Sequence, residues 1–372
     1  MSLRATSSAT PSDDLRDLAA FSRDLIVGHQ AASGAFPAAP TYPVYRYSWF
    51  RDGAFVADGL SRAGAVESAD AFHAWCAAVV LEREAIVDDV VRRLRAGASV
   101  FRDEFLPTRY TLDGDDGAEQ WENFQTDGYG SWLWALWQHL SRHGSDGSPY
   151  RRAVGVTTRY LSAVWAQPCY DWWEEHPDEH HVSSLGSIAA GLDAALRMNL
   201  LDPDTSVAAA AALHGVREEI LRAGIVGGHA VKWIGSPAVD GSLLACVAPF
   251  GVLDPSTAVA TLAAVDRDLV VDLGVYRYLD DTFYGGGRWP VLAAFRGLAL
   301  LSTGRRDEAL ATLKWIASTA TPEGYLPEQV GPKLLHPSRH AEWVERWGPV
   351  ATPLLWSHGM FLMLAHALGI WA

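Results

Sequence analysis

Apolar residues recur at three- and four-residue spacing along most of the chain, and strict alternation is almost absent. Between residues 13 and 29, Leu15, Leu18, Ala19, Phe21, Leu25 and Ile26 share one helical face. A second helix is predicted from Asp52, with Phe55, Val56, Leu60 and Ala63 inward, and a third over 67–95. Helical periodicity continues over 126–143, 149–166, 183–199, 204–223, 239–248, 255–267, 288–303, 306–319 and 353–370. Small and polar residues punctuate the gaps. The best strand pattern, Leu269 to Leu273, is short.

Twelve helices without a sheet leave few architectures. A solenoid needs a repeat of fixed period, which this sequence lacks. Alternating inner and outer helices closing into an all-α (α/α)6 barrel fit the count. Every second connection then lies at one end, and those connections hold the chemically rich segments 49–52, 121–127, 170–175, 276–289 and 328–356. No composition shift marks a second domain, so residues 13–372 read as one domain behind a disordered lead at 1–12.

Composition narrows the function classes. Hydrophobic content of 49% over 372 residues allows a large core. A net charge of −14 without a basic run argues against nucleic acid or an anionic membrane as partner. No apolar run is long enough to span a bilayer, and no apolar leader precedes residue 14. Cys76, Cys169 and Cys246 are odd in number and far apart, so no disulfide framework is expected and a cytoplasmic location is. Sixteen tryptophans change the picture most, because several sit in polar, Gly- or Pro-flanked segments. That placement predicts a ring-lined cleft.

The segment Tyr170-Asp171-Trp172-Trp173-Glu174-Glu175 combines three carboxylates with three rings. Adjacent acids are usually a solvated charge run, but such runs seldom follow paired indoles. Rings stack on the apolar faces of a sugar, carboxylates bind its hydroxyls, and one acid held against a ring can stay protonated. Arg51-Asp52, after Tyr45 and Trp49, reads either as a helix cap at Asp52 or as a charged grip on vicinal hydroxyls. Capping accounts for Asp127 but leaves Trp121 unexplained. His176, His180 and His181 lack zinc-ligand spacing and read as a solvated loop. Asp280-Asp281 lacks a diphosphate-binding pattern, and Gly285-Gly286-Gly287 lacks the lysine of a phosphate loop. Glu328, within Leu326-Pro327-Glu328-Gln329, is unremarkable alone, and His358 after Trp356-Ser357 reads as a core or capping histidine.

Taken together these segments resemble glycoside hydrolase family 15, the glucoamylase-type enzymes of (α/α)6 fold. Tyr170 to Glu175 is similar to the family's general-acid segment, which implies Glu174 as general acid, Glu175 on substrate, and Asp171 and Trp173 beside them. Leu326 to Gln329 resembles the general-base segment, implying Glu328 as base. By the same resemblance Tyr45, Trp49, Arg51 and Asp52 hold the non-reducing-end glucose, and Trp121 walls the cleavage point. Arg277 and Trp289 hold the adjacent sugar, and Trp356 follows the base. In the barrel Glu174 precedes the sixth helix and Glu328 the twelfth, which places them across the mouth. An inverting mechanism needs that arrangement.

The implied activity is exo-acting release of glucose from short α-glucans, with α-1,6-linked isomaltose favoured. α-1,4-glucans and trehalose are the nearest alternatives, and an inactive sugar-binding protein is the alternative of another class. Neither metal nor cofactor is implied. Segments 106–120 and 331–350 match nothing in the resemblance; they would shape the reducing-end side of the pocket.

Overall fold

The computed structural model describes residues 11–370. The expected lead at 1–12 therefore lies outside the described residues, save for residues 11 and 12. Those two open α1 (Pro11–His29). The helices that follow are α2 (Phe50–Arg62), α3 (Val66–Glu82), α4 (Glu84–Arg95), α5 (Asp127–His143), α6 (Arg151–Val164) and α7 (Val182–Met198). The second half holds α8 (Pro203–Ala223), α9 (Leu243–Val247), α10 (Pro255–Leu269), α11 (Pro290–Ser302), α12 (Arg306–Ser318), α13 (His340–Trp347) and α14 (Leu355–Ala367). Strands among the described residues are confined to two-residue antiparallel pairs: Ser48–Trp49 with Arg109–Tyr110, Ile225–Val226 with His229–Ala230, and Val270–Val271 with Gly274–Val275.

Six helices close a ring, in the order α2, α5, α7, α9, α11, α14 and back to α2. They are buried nearly all round; every residue of α14 from Leu355 to Ala365 is buried. α1, α3, α6, α8, α10 and α12 pack outside this ring with one apolar face inward. The architecture is the (α/α)6 barrel that the periodicity predicts. Burial separates the two classes: α8 opens on an Asp-Pro cap, Asp202 accepting from Thr205 N at 2.9 Å, and shows solvent a polar face. Inner helices need close approach instead. A Cβ on Gly191 of α7 would lie 2.5 Å from the Gly130 carbonyl of α5. Gly191→Ala is accordingly expected to cost about 1–3 kcal/mol of stability by overpacking, read from urea unfolding.

Four elements depart from the sequence pattern. The helix expected over 67–95 is two, because Arg83 leaves helical geometry (φ −107°, ψ 13°) between α3 and α4. Its guanidinium turns to Asp116 at 2.6 Å and the Gly114 carbonyl at 2.8 Å. The inner helix expected over 239–248 is only α9, since Asp240 turns the chain first by accepting from Ser242 N. The strand at 269–273 is one arm of a hairpin whose turn residues Asp272 and Leu273 have φ of 47° and 69°. α13 lies in a segment where no helix is expected. Among the described residues no helix is long and apolar enough to cross a membrane.

Candidate active site

The general-acid segment predicted from sequence is a tight loop between α6 and α7. Asp171 organises it: one carboxylate oxygen accepts from the backbone N–H of Trp173 and of Glu175, each at 2.9 Å. The other lies 3.5 Å from Lys232 Nζ, a buried ammonium that also bonds Asp240 at 2.8 Å. Asp240 in turn accepts from the Trp173 indole N–H at 3.0 Å. These bonds hold Glu174 at φ 65°, a left-handed conformation costing about 1–3 kcal/mol for a residue with a side chain. The strain aims its carboxyl at the barrel axis. Asp171 itself does not reach the cavity. The sequence reading set it against substrate; its bonds to its own loop make it a support instead.

Glu174 accepts from the Trp49 indole N–H at 2.7 Å. Burial raises its pKa, and the Arg51 guanidinium opposes that rise. Arg51 is buried at the barrel floor, its guanidinium carbon 5.8 and 5.7 Å from the ring centres of Trp172 and Trp356. It bonds Gln125 at 2.7 Å and Asp127 at 2.9 Å. Asp127 is therefore the partner of Arg51, and Thr126 occupies the cap position that the sequence reading gave to Asp127. Asp52 sits in the first turn of α2 rather than at its cap, 3.6 Å from Arg51 Nε. Burial pushes its carboxyl up to about 7.

Glu328 comes from the opposite side, and its segment is gripped at each residue. Leu326 N–H donates to His358 Nε2 at 2.9 Å, and the Ser357 hydroxyl donates to the Pro327 carbonyl at 2.8 Å. Because a backbone N–H can only donate, His358 Nε2 is unprotonated and Nδ1–H faces Ser22 Oγ at 2.8 Å. Burial holds that ring neutral, with a pKa near 3. Glu328 N–H bonds the Ala351 carbonyl at 3.0 Å, and the Gln329 amide spans Gly287 N at 2.7 Å and the Phe283 carbonyl at 3.2 Å. One oxygen of Glu328 is buried without a hydrogen-bond partner among the described residues. Burial pushes this carboxyl up to about 8, while Arg277 and the Tyr45 hydroxyl favour its ionised form. Both glutamates are raised, so protonation alone does not separate an acid from a base; position must.

Arg277 pairs with Asp281 (2.8 Å from Nε) and approaches Glu175 at 3.5 Å, stacked against Trp173 and Trp289 at 5.2 and 5.5 Å. Tyr278 donates to Glu175 from the other side. Asp171, Glu175 and His176 offer ligand atoms within 4.8 Å of one another. Lys232 and Arg277 already bring two cations to those carboxylates, which disfavours a third. The histidine loop is not wholly solvated as its polarity suggests: His181 is buried, bonded to the His176 carbonyl at 2.9 Å.

Glu174 and Glu328 face one cavity of about 320 Å³, at the small end of the roughly 300–1,000 Å³ of small-molecule sites. Four tryptophans on its wall, Trp172, Trp289, Trp343 and Trp356, carry buried indole N–H groups with no partner among the described residues. Ring faces with free donors, interleaved with carboxylates, suit a polyol with apolar faces.

The model of the glycosyl hydrolases family 15 matches residues 18–289. The chain belongs to that family. It is a glycoside hydrolase. It is 50% identical over 364 residues to an isomaltose glucohydrolase of Kribbella flavida, covering 96% of this chain and 94% of that one. An uncharacterized glycosyl hydrolase of Methanocaldococcus jannaschii is 23% identical, with about half of its length (53%) covered. A solved wild-type glycosidase superposes with a TM-score of 0.95 at 48% identity, over 99% of this chain and 100% of that one. A glycosidase with a glutamate replaced by alanine, solved with glucose, aligns with a TM-score of 0.94 at 48% identity, with the same coverage. A bacterial glucoamylase solved with acarbose shares the fold at 19% identity and TM-score 0.74, covering 96% of this chain and 56% of that one.

Of the residues that the family 15 resemblance singles out, all but Asp171 line the cavity. Glu328 and Trp356 lie beyond the matched segment, so their placement rests on the fold. Several lining residues escaped the sequence reading, among them Phe283, Trp343, Arg346 and Trp347. Arg109, in the unassigned 106–120 segment, is sandwiched 3.9 Å from the Tyr47 ring and 3.8 Å from the Trp121 ring. It props up Trp49 through the Trp49–Arg109 strand pairing. Its signal, a lone arginine before an aromatic residue, is too common to read.

Proposed function

We propose that this family 15 chain is an inverting, exo-acting α-glucosidase that releases β-glucose from short α-1,6-linked glucans such as isomaltose. Two buried carboxyls, Glu174 and Glu328, brought by different loops to one small aromatic pocket with a charged floor are the observation that carries this reading. Glu174, held by the Trp49 donor, protonates the glycosidic oxygen. Glu328, with one unpartnered oxygen, takes a proton from the attacking water on the opposite face. Arg51 and Asp52 at the floor bind the terminal glucose and close the pocket behind it, which makes attack exo. Trp49, Trp121, Trp289 and Trp356 stack on or hydrogen-bond the sugars, and Glu175 and Arg277 bind the second one.

The α-1,6 preference is supported by the small cavity and by the named activity of the 50% identical relative. Residues 13–372 act as one catalytic domain, since a continuous apolar cluster runs from Leu15 to Leu368. A cytoplasmic location fits three free, buried cysteines.

Glucose release from equal concentrations of isomaltose, maltose and trehalose tests the reading, with polarimetry reporting the first anomer. Isomaltose is expected to turn over fastest and to yield β-glucose. α-Glucose as first product would remove the inverting mechanism, and preference for maltose or trehalose would remove the linkage.

A further inference from the structure

α13 buries none of its own residues fully, and only Trp343 and Trp347 rest, half-buried, against the edge of the apolar core. It is nevertheless fixed. The chain leading into it is pinned by His336 N–H on the Gly285 carbonyl at 2.8 Å and Leu335 N–H on the Gly286 carbonyl at 3.1 Å. Trp343 and Trp347, one helical turn apart, lie with ring centres 5.0 and 6.0 Å from Phe283. The helix thus turns its only aromatic face toward the cavity mouth, where Trp343, Arg346 and Trp347 line the wall.

Two features of this wall point to a ligand. The Trp343 indole N–H is buried and has no partner among the described residues. Arg346 is exposed at the rim and lies against the two rings, its guanidinium carbon 4.7 Å from the Trp347 ring and 5.4 Å from Trp343. It forms no ion pair or hydrogen bond with any described residue, although this chain has an excess of carboxylates. A planar guanidinium stacked on a ring beside an indole donor recognises vicinal hydroxyl oxygens, and the flanking rings accept an apolar sugar face.

We propose that α13 is the acceptor-side platform: Trp343 and Arg346 bind the hydroxyls of the reducing-end glucose, and Trp347 walls off a third sugar. This rests on the function proposed above, because only an exo pocket with its floor at Arg51 places the departing sugar at the mouth. α13 then sets chain length, and the disaccharide fills the site.

The test uses α-glucosyl fluoride, which occupies the floor and has no acceptor-side sugar, beside isomaltose and isomaltotriose. In Arg346→Ala and Trp343→Phe, KM for isomaltose is expected to rise about tenfold, the loss of one charge-assisted or buried hydrogen bond, while kcat/KM for the fluoride changes less than about twofold. Trp347→Ala is expected to raise the ratio of isomaltotriose to isomaltose kcat/KM several-fold. Equal losses on fluoride and disaccharide would reduce α13 to a structural prop and overturn the proposal. So would an unchanged KM for isomaltose. A wild type inactive on all three substrates would instead bring down the function itself, and the platform with it.

Discussion

Glu174→Gln is expected to lower kcat for isomaltose by about 10²–10⁴-fold, the range of a lost general acid. The same variant is expected to keep far more of its activity on α-glucosyl fluoride. A sugar alkoxide needs a proton as it leaves; fluoride departs with much less help. The amide can still accept from the Trp49 N–H, so the left-handed loop stays in place and the loss reports chemistry rather than folding. Parallel kcat measurements on the two substrates check this. Equal losses would show that Glu174 binds or orients the glucose and is not the acid.

Glu328→Gln is expected to abolish turnover of both substrates to a similar degree, because both require an activated water. Its effect on stability has the opposite sign. The folded carboxyl is raised from 4.5 to about 8 by burial, so the native state holds its proton more tightly than the unfolded chain. Stability is then fully present below the unfolded value and is lost as pH rises from about 4.5 to about 8, where the buried charge forms. The cost above that window is on the order of 5 kcal/mol, at about 1.4 kcal/mol per unit. Glutamine never ionises. The variant should therefore unfold at higher temperature than wild type at pH 8, and the advantage should vanish near pH 4.5. Thermal unfolding across that range checks it, and a variant less stable at both pH values would refute it. A dead enzyme more stable than the live one is what a strained catalytic group predicts.

The barrel was legible because helical period and burial are written locally. Inner helices such as α14 read as apolar on every side and outer ones such as α8 as one-sided. The pocket floor and Glu174 were legible for a different reason: indoles beside charges inside loops violate ordinary patterning, whereas Glu328 stood out only through the family resemblance. What misled was polarity taken one residue at a time. Asp127 reads as a helix cap and Asp171 as a residue beside the substrate, yet each is buried as a support, one on Arg51 and the other beneath its own loop beside Lys232. α13 went unread because it has only eight residues, flanked by Gly331, Pro332, Pro337 and Gly348, and its apolar face serves a cavity rather than a core.

The sequence by itself determined the twelve barrel helices, the end of the barrel that carries chemistry, and the two glutamates worth testing. The helices, the chemical end and Glu174 follow from spacing and from residue types that sit badly in their local context; Glu328 follows from the resemblance of its segment to the family's general-base segment. Only the tertiary structure decided which charges pair and which stay unpaired. Arg51 meets Asp127 across 76 positions, while Arg346 meets no carboxylate among the described residues. Pairing depends on distances between segments remote in the chain, and burial then sets what each charge costs. Periodicity carries no information on either.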